Sequence, residues 1–148
     1  MNPCDKEAVV SLRIASRVRS VSDITQAVGV PPSKSVEKGE LMSKRSRVPK
    51  YREESLWFIG SGLLPSAPIE DHLQKITEFI DVHLSSLQPL SADCDIGVYC
   101  NFTICTGQGG FVLTNELLQK LLRLPLDLWV DLFSVSSSDE ATQNPGER

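Results

Sequence analysis

Three stretches of this chain alternate apolar and polar residues with period two. In the first, Ala8, Val10, Leu12 and Ile14 fall on one side, and Glu7, Ser11 and Arg13 on the other. In the second, Cys94, Ile96, Val98, Cys100, Phe102 and Ile104 alternate with Asp93, Asp95, Tyr99, Asn101 and Thr103. In the third, Leu126, Leu128, Val130 and Leu132 alternate with Asp127, Trp129, Asp131 and Phe133. Strand side chains point to opposite faces in turn, so each stretch reads as a half-buried strand. An all-parallel sheet covered on both sides would carry continuous apolar strands instead. The expectation is a sheet with one packed face and one wet face.

Helical signals lie between these strands. Ser22 and Asp23 offer an N-cap, Ile24, Ala27 and Val28 a short apolar stripe, and Gly29 a stop before Pro31-Pro32. Pro68 opens a second helix, with Glu70 and Asp71 at its positive end. Ile69, Leu73, Ile76, Ile80, Leu84 and Leu87 then recur at helical spacing, predicting about five turns that end near Pro89. Thr114 caps a third helix bearing Leu117, Leu118, Leu121 and Leu122. The run Leu56-Trp57-Phe58-Ile59, closed by glycines, reads as a further strand. Gly107 to Gly110 reads as a hairpin turn into a short returning strand, Phe111-Val112-Leu113. Together these predict a two-layer α+β domain over residues 1–133. It has one mixed, mostly antiparallel sheet of about five strands and three helices on one face. Residues 134–148 are polar and read as a disordered tail.

The chain has 148 residues, 41% apolar and 23% charged, which suits a single globular domain and excludes fibrous and wholly disordered classes. No run approaches the roughly 18 apolar residues of a membrane span. The opening residues lack the basic start and apolar stretch of an export signal, so a cytoplasmic setting with reduced thiols is expected. The net charge of −4 conceals an asymmetry: residues 34–52 carry +5 and the remainder −9. That basic segment lies in a loop, residues 31–54, where Lys38-Gly39-Glu40 suggests a turn and Leu41 to Val48 an edge strand or a mobile loop.

Candidate chemistry is thin. Asp127 and Asp131 share a strand face about 13 Å apart, too far for a carboxylate dyad. His72 and His83 would point in nearly one direction but lie about 16 Å apart along a helix, so one metal cannot take both. They read as boundary or surface histidines. Cys94 and Cys100 read as buried small hydrophobes, and Cys105, near a turn, has no adjacent histidine to activate it. The cysteines Cys4, Cys94, Cys100 and Cys105 lack zinc spacing. The sequon at Asn101 falls mid-strand and is set aside. No metal or other cofactor is expected.

Several of these segments, taken together, resemble a known family. They are Val10-Ser11-Leu12-Arg13-Ile14, Asp23-Ile24-Thr25, Val28-Gly29-Val30-Pro31-Pro32, Lys38-Gly39-Glu40 and Trp57. The run Gly109 to Leu118 and the closing Leu126-Asp127-Leu128-Trp129-Val130-Asp131-Leu132-Phe133 complete the set. The resemblance is to the bacterial domain of unknown function numbered 4279, and it covers about Ala8 to Phe133. The family's final aromatic position reads Leu132-Phe133 here, a mild departure. The resemblance implies a small, stand-alone cytosolic bacterial protein. It implies no activity and brings no catalytic residues.

Two features remain as candidate sites. On the wet sheet face, Arg13, Tyr99, Asn101, Thr103, Asp127, Trp129 and Asp131 would project together, and an exposed Trp and Tyr among polar groups suit a binding hot spot. In the basic loop, Lys44, Arg45 and Arg47 suit an acidic partner or a phosphate backbone. The expected function is a non-enzymatic protein-interaction or ligand-binding module, of which an immunity-like role is one form. The partner would be a protein. Nucleic acid is the alternative, with a small enzyme behind it, and no membrane partner is expected.

Overall fold

The computed structural model describes residues 6–45, 47–105 and 107–134. Its frame is one five-stranded mixed sheet with four helices. The strands are β1 (Lys6–Ser16), β2 (Lys34–Val36), β3 (Ser55–Gly60), β4 (Asp95–Ile104) and β5 (Leu126–Ser134). The helices are α1 (Val21–Val28), α2 (Ile69–Val82), α3 (Leu84–Leu90) and α4 (Asn115–Leu121). The strand order is β2-β3-β1-β4-β5, antiparallel throughout except for the parallel pair β4–β5.

The alternation decides which face is packed. Val10 pairs with Cys100, Leu12 with Val98 and Ile14 with Ile96, and all six side chains are buried. Trp57 and Ile59 of β3 join this face opposite Ile14 and Leu12. Over it lie Ile24 and Val28 of α1, Leu73, Ile76 and Ile80 of α2, Leu87 and Leu90 of α3, and Leu117 and Leu121 of α4. Each such side chain, fully buried, contributes about 1.5–3 kcal/mol. Trp57 is wholly buried, and its indole N–H donates to Thr25 Oγ1 at 3.1 Å, which ties β3 to α1. The start of α1 is fixed from two sides. Ser20 and Asp23 form a capping box, and the Glu37 carboxylate accepts from the Val21 N–H at 3.1 Å. Ser20, rather than Ser22 or Asp23, is thus the cap.

The structure corrects several expectations. Residues 111–113 form no strand. The free edge of β4 is taken by β5 arriving in parallel, so a hairpin return has nothing to pair with. Phe111 instead meets Phe102 edge-on, with centroids 5.7 Å apart. The fifth strand is β2, from within the basic loop. The long helix is two helices, because His83 leaves helical geometry at φ −109° and ψ 17°. Its ring stacks on Phe79 at 4.2 Å, and α3 resumes at once and runs through Pro89. The expected tail at 134–148 lies, beyond Ser134, outside the described residues.

His72 is no surface histidine. It is 1% exposed, because its position on α2 falls beside Leu73 and Ile76 on the core face. Its Nδ1 accepts from the Ser61 hydroxyl at 2.5 Å, and its Nε2–H donates to the Leu64 carbonyl at 3.1 Å. The side chain therefore clasps the turn that follows β3. Replacing it with an apolar group strands two polar partners. His72→Leu should lower the unfolding free energy by about 1–3 kcal/mol in a urea titration, with an unchanged slope.

Cys94 and Cys100 are free and buried, as expected of small hydrophobes. Burial pushes both thiols up from near 9 to about 11. Each holds its proton more tightly folded than unfolded. The stability this supplies is complete below about pH 9 and is lost as pH rises toward 11. The urea midpoint of the wild type should fall more steeply over that window than that of Cys94→Val/Cys100→Val. Equal slopes would contradict this account.

Candidate functional site

The face turned away from the helices carries the odd-numbered residues of β1, β4 and β5. Arg13 stands opposite Phe58 on one side and Gly97 on the other, and Gly97 stands opposite Asp127. Tyr99 stands opposite Trp129, and Asn101 opposite Asp131. Arg13, Tyr99, Asn101, Asp127, Trp129 and Asp131 thus share the face, as their alternation requires.

The centre of this face is a ladder of rings and cations. The Tyr99 and Trp129 rings stack at 5.9 Å with planes 9° apart. Arg13 donates to the Tyr99 hydroxyl at 3.0 Å, with its guanidinium carbon 5.2 Å from the ring centroid. The Trp129 indole N–H donates to Asp131 Oδ1 at 2.9 Å. On the far side, Lys34 Nζ lies 5.9 Å from the Phe58 ring centroid. Lys34, Phe58, Arg13, Tyr99 and Trp129 therefore succeed one another across all five strands. Trp129 is stacked and hydrogen-bonded yet remains 54% exposed.

Gly97 makes this possible. A Cβ there would meet Tyr99 Cε2 at 3.1 Å and the Asp127 carbonyl oxygen at 3.3 Å. The Tyr99 ring lies across the bare backbone of Gly97, which brings its hydroxyl within reach of Arg13.

Beside the ladder the basic loop forms a wall. Its two arms pair through the Leu41–Tyr51 bridge, with the Met42 N–H donating to the Lys50 carbonyl and the Arg52 N–H to the Glu40 carbonyl, both at 2.8 Å. An open hollow of about 730 Å³ lies between these arms and the sheet. Arg13 and Leu56 form its sheet side, and Met42, Lys50, Tyr51 and Arg52 its loop side. Glu54 pairs with Arg13 at 3.7 Å and with Arg17 at 3.4 Å, which neutralises one side of the rim. Lys50 and Arg52 make no ion pair with a described carboxylate.

Lys44, Arg45 and Arg47 are exposed on the loop and do not line the hollow, so the two expected features meet through Lys50 and Arg52. Lys34, Lys50 and Arg52 belong to the basic segment 34–52 that the sequence marks, whereas reading the sequence missed Met42, Tyr51, Glu54, Leu56, Phe58 and Gly97. Strand alternation puts Phe58 on the face opposite Trp57, but a run apolar at every position does not say which face is the outer one. Cys105 is disulfide-bonded, which corrects the expectation that all the thiols are reduced. Among the described residues no cluster of His, Cys, Asp or Glu could hold a metal ion. Among those residues, too, no helix is long and apolar enough to cross a membrane.

The ladder yields a direct test. Gly97→Ala should push the Tyr99 ring off its seat and cost about 1–3 kcal/mol of stability, the range for overpacking. Acrylamide should quench one of the two tryptophans readily, Trp129, and spare the buried Trp57. In Gly97→Ala the accessible component should change while the protected one stays.

A family model described as Domain of unknown function (DUF4279) matches residues 6–134. No curated protein matches the chain, and no solved structure does.

Proposed function

Given that the chain belongs to the DUF4279 family, we propose that it is a non-enzymatic interaction module that grips an acidic protein partner with its outer sheet face. One observation carries this reading. Trp129 is half-exposed yet already fixed by its stack on Tyr99, itself held by Arg13, and by Asp131, beside a hollow whose Lys50 and Arg52 make no ion pair with a described carboxylate. Ordering a flexible side chain on binding costs about 0.5–1.5 kcal/mol, and an anchor held in place beforehand avoids much of that cost. Trp, Tyr and Arg are also the residue types that dominate interface energies.

The charge of the partner follows from the loop. Lys44, Arg45, Arg47, Lys50 and Arg52 make no ion pair with a described carboxylate. They would attract an acidic surface and speed its encounter, an effect that salt weakens. Glu53, Glu54, Asp127 and Asp131 border the same surface and would repel a continuous phosphate backbone, which favours protein over nucleic acid. An immunity-like role, in which the face masks an acidic partner, is one form of this reading. The Ser61–His72 pair does not favour a hydrolase. The imidazole is buried, and its second nitrogen is held by a backbone carbonyl.

Affinity capture from host lysate, read by mass spectrometry, tests the proposal. One protein should be retained by the wild type and lost by both Tyr99→Ala/Trp129→Ala and Lys50→Glu/Arg52→Glu. The aromatic double variant should weaken binding by roughly thirtyfold or more, the loss of one hot spot. Capture that survives both variants would remove this face from consideration. RNA retained in place of protein, and released by salt, would replace the protein reading with the nucleic-acid one.

A further inference from the structure

The two edges of the sheet differ in how they are protected. The β2 edge is three residues long, opens with Lys34 and follows Pro31-Pro32. Short length, lysine and proline are the usual means of blunting an edge. The β5 edge has none of these three, and its only charges are Asp127 and Asp131 on the outer face. It is nine residues long and contains no Lys, Arg, Pro or Gly from Leu126 to Ser134. Trp129, Leu132 and Phe133 are 54%, 65% and 54% exposed. About half of a strand's backbone N–H and C=O groups point to each edge. Those of β5 that face away from β4 form no hydrogen bond with any described residue.

We infer that this edge pairs with the same edge of a second copy, antiparallel, about a twofold axis at Val130. The register follows from the sequence of β5. Directly opposed residues lie on one face of the sheet, so the outer-face residues must oppose outer-face residues. A twofold axis at Trp129 would set Asp127 against the partner's Asp131. One at Asp127 or Asp131 would set that residue against itself. Like charges directly opposed are destabilising. An axis at Val130 avoids all of these and is the one register that pairs the whole strand. Leu128 then faces the partner's Leu132, Asp127 the partner's Phe133, and Trp129 the partner's Asp131. The exposed Leu132 gains an apolar neighbour on the packed side of the sheet.

The geometry also closes. A self-complementary contact forms a dimer and stops. The result is a ten-stranded sheet whose two remaining edges are the short, blunted β2 strands. The outer faces become continuous, and the two Trp129 side chains become diagonal neighbours about 7–8 Å apart. The two Asp131 side chains stand in the same relation. Screening acts over about 8 Å at physiological ionic strength, so added salt should tighten the dimer. An acidic partner on the basic loop should show the opposite salt dependence, which keeps the two proposals separable.

Sedimentation velocity of the full chain over a concentration series tests this. The wild type should pass from monomer to dimer, at lower concentration when salt is raised. Leu132→Lys alters a side chain already exposed in the monomer and places a charge against the partner's Leu128. It should weaken dimerisation by roughly tenfold or more. Val130→Cys brings two thiols together at the axis. Opposed Cα atoms in an antiparallel pair lie about 4.5–5.5 Å apart, within disulfide reach. Mild oxidation should therefore give a covalent dimer that the wild type does not give, and this holds even if Leu132→Lys fails to fold. A monomer at every concentration would overturn the inference. So would a dimer unaffected by Leu132→Lys and not cross-linked through Val130→Cys.

Discussion

Ten consecutive residue pairs join β1 to β4, and the rest of the molecule depends on that register. Because side chains alternate, a slip by one residue would send every apolar side chain of β1 to the solvent face. The observed register sends Val10, Leu12 and Ile14 to the helices with Cys100, Val98 and Ile96. It leaves Ser11 and Arg13 outside, with Tyr99 and Gly97 opposite. Burial of the first set therefore fixes the position of the second. Arg13 reaches Tyr99 because it stands opposite the one residue of β4 that offers no side chain. At the strand's far end, the Arg19 Nε–H is shared between the two Asp93 carboxylate oxygens, at 2.9 and 3.0 Å, and holds the exit of β1 against the entry to β4. The Arg19 guanidinium in turn holds the Asp93 carboxyl below its ordinary range.

What the sequence revealed follows the same logic. The three period-two strands were legible because each is long enough to show a period and has one packed face. So were the cap at Thr114 and the stop at Gly29, whose φ of 88° suits glycine. β2 was not legible, because three residues carry no period. The absence of a strand at 111–113 depends on which neighbour takes the edge of β4, a competition between distant segments. The break at His83 hid because the apolar spacing continues through it. His72 was misread because a polar side chain on a core face looks like a boundary residue until its partners, a serine and a backbone carbonyl, are in place.

The candidate site divides in the same way. Arg13, Tyr99, Asn101, Asp127, Trp129 and Asp131 were legible as a set, because a shared face needs only alternation and a shared sheet. Their ordering into a ladder was not. It requires Gly97, which draws no attention in a sequence, and it requires β2 and β3 to bring Lys34 and Phe58 into line. In the loop, net charge drew the eye to Lys44, Arg45 and Arg47. The arms that pair across Leu41 and Tyr51 place Lys50 and Arg52 at the hollow instead.

The segments on which the resemblance rests mostly do packing work. Ile24 and Trp57 lie in the core, Thr25 receives the Trp57 indole N–H, and Leu117 fills the space under α4. The closing segment of β5 is different, because packing accounts for only half of it. Leu126, Leu128 and Val130 lean on the core, whereas Trp129 and Phe133 stand in solvent on the opposite face. Stacking on Tyr99 fixes the geometry of Trp129 without covering it, so fold stability alone does not explain so large an apolar side chain there. The strand offers its face and its edge to different kinds of contact. Outer-face side chains would make the first, and backbone groups with the inner-face Leu128 and Leu132 most of the second. A twofold axis at Val130 would set two ladders side by side. A partner able to touch both would then gain the advantage of a second, intramolecular contact.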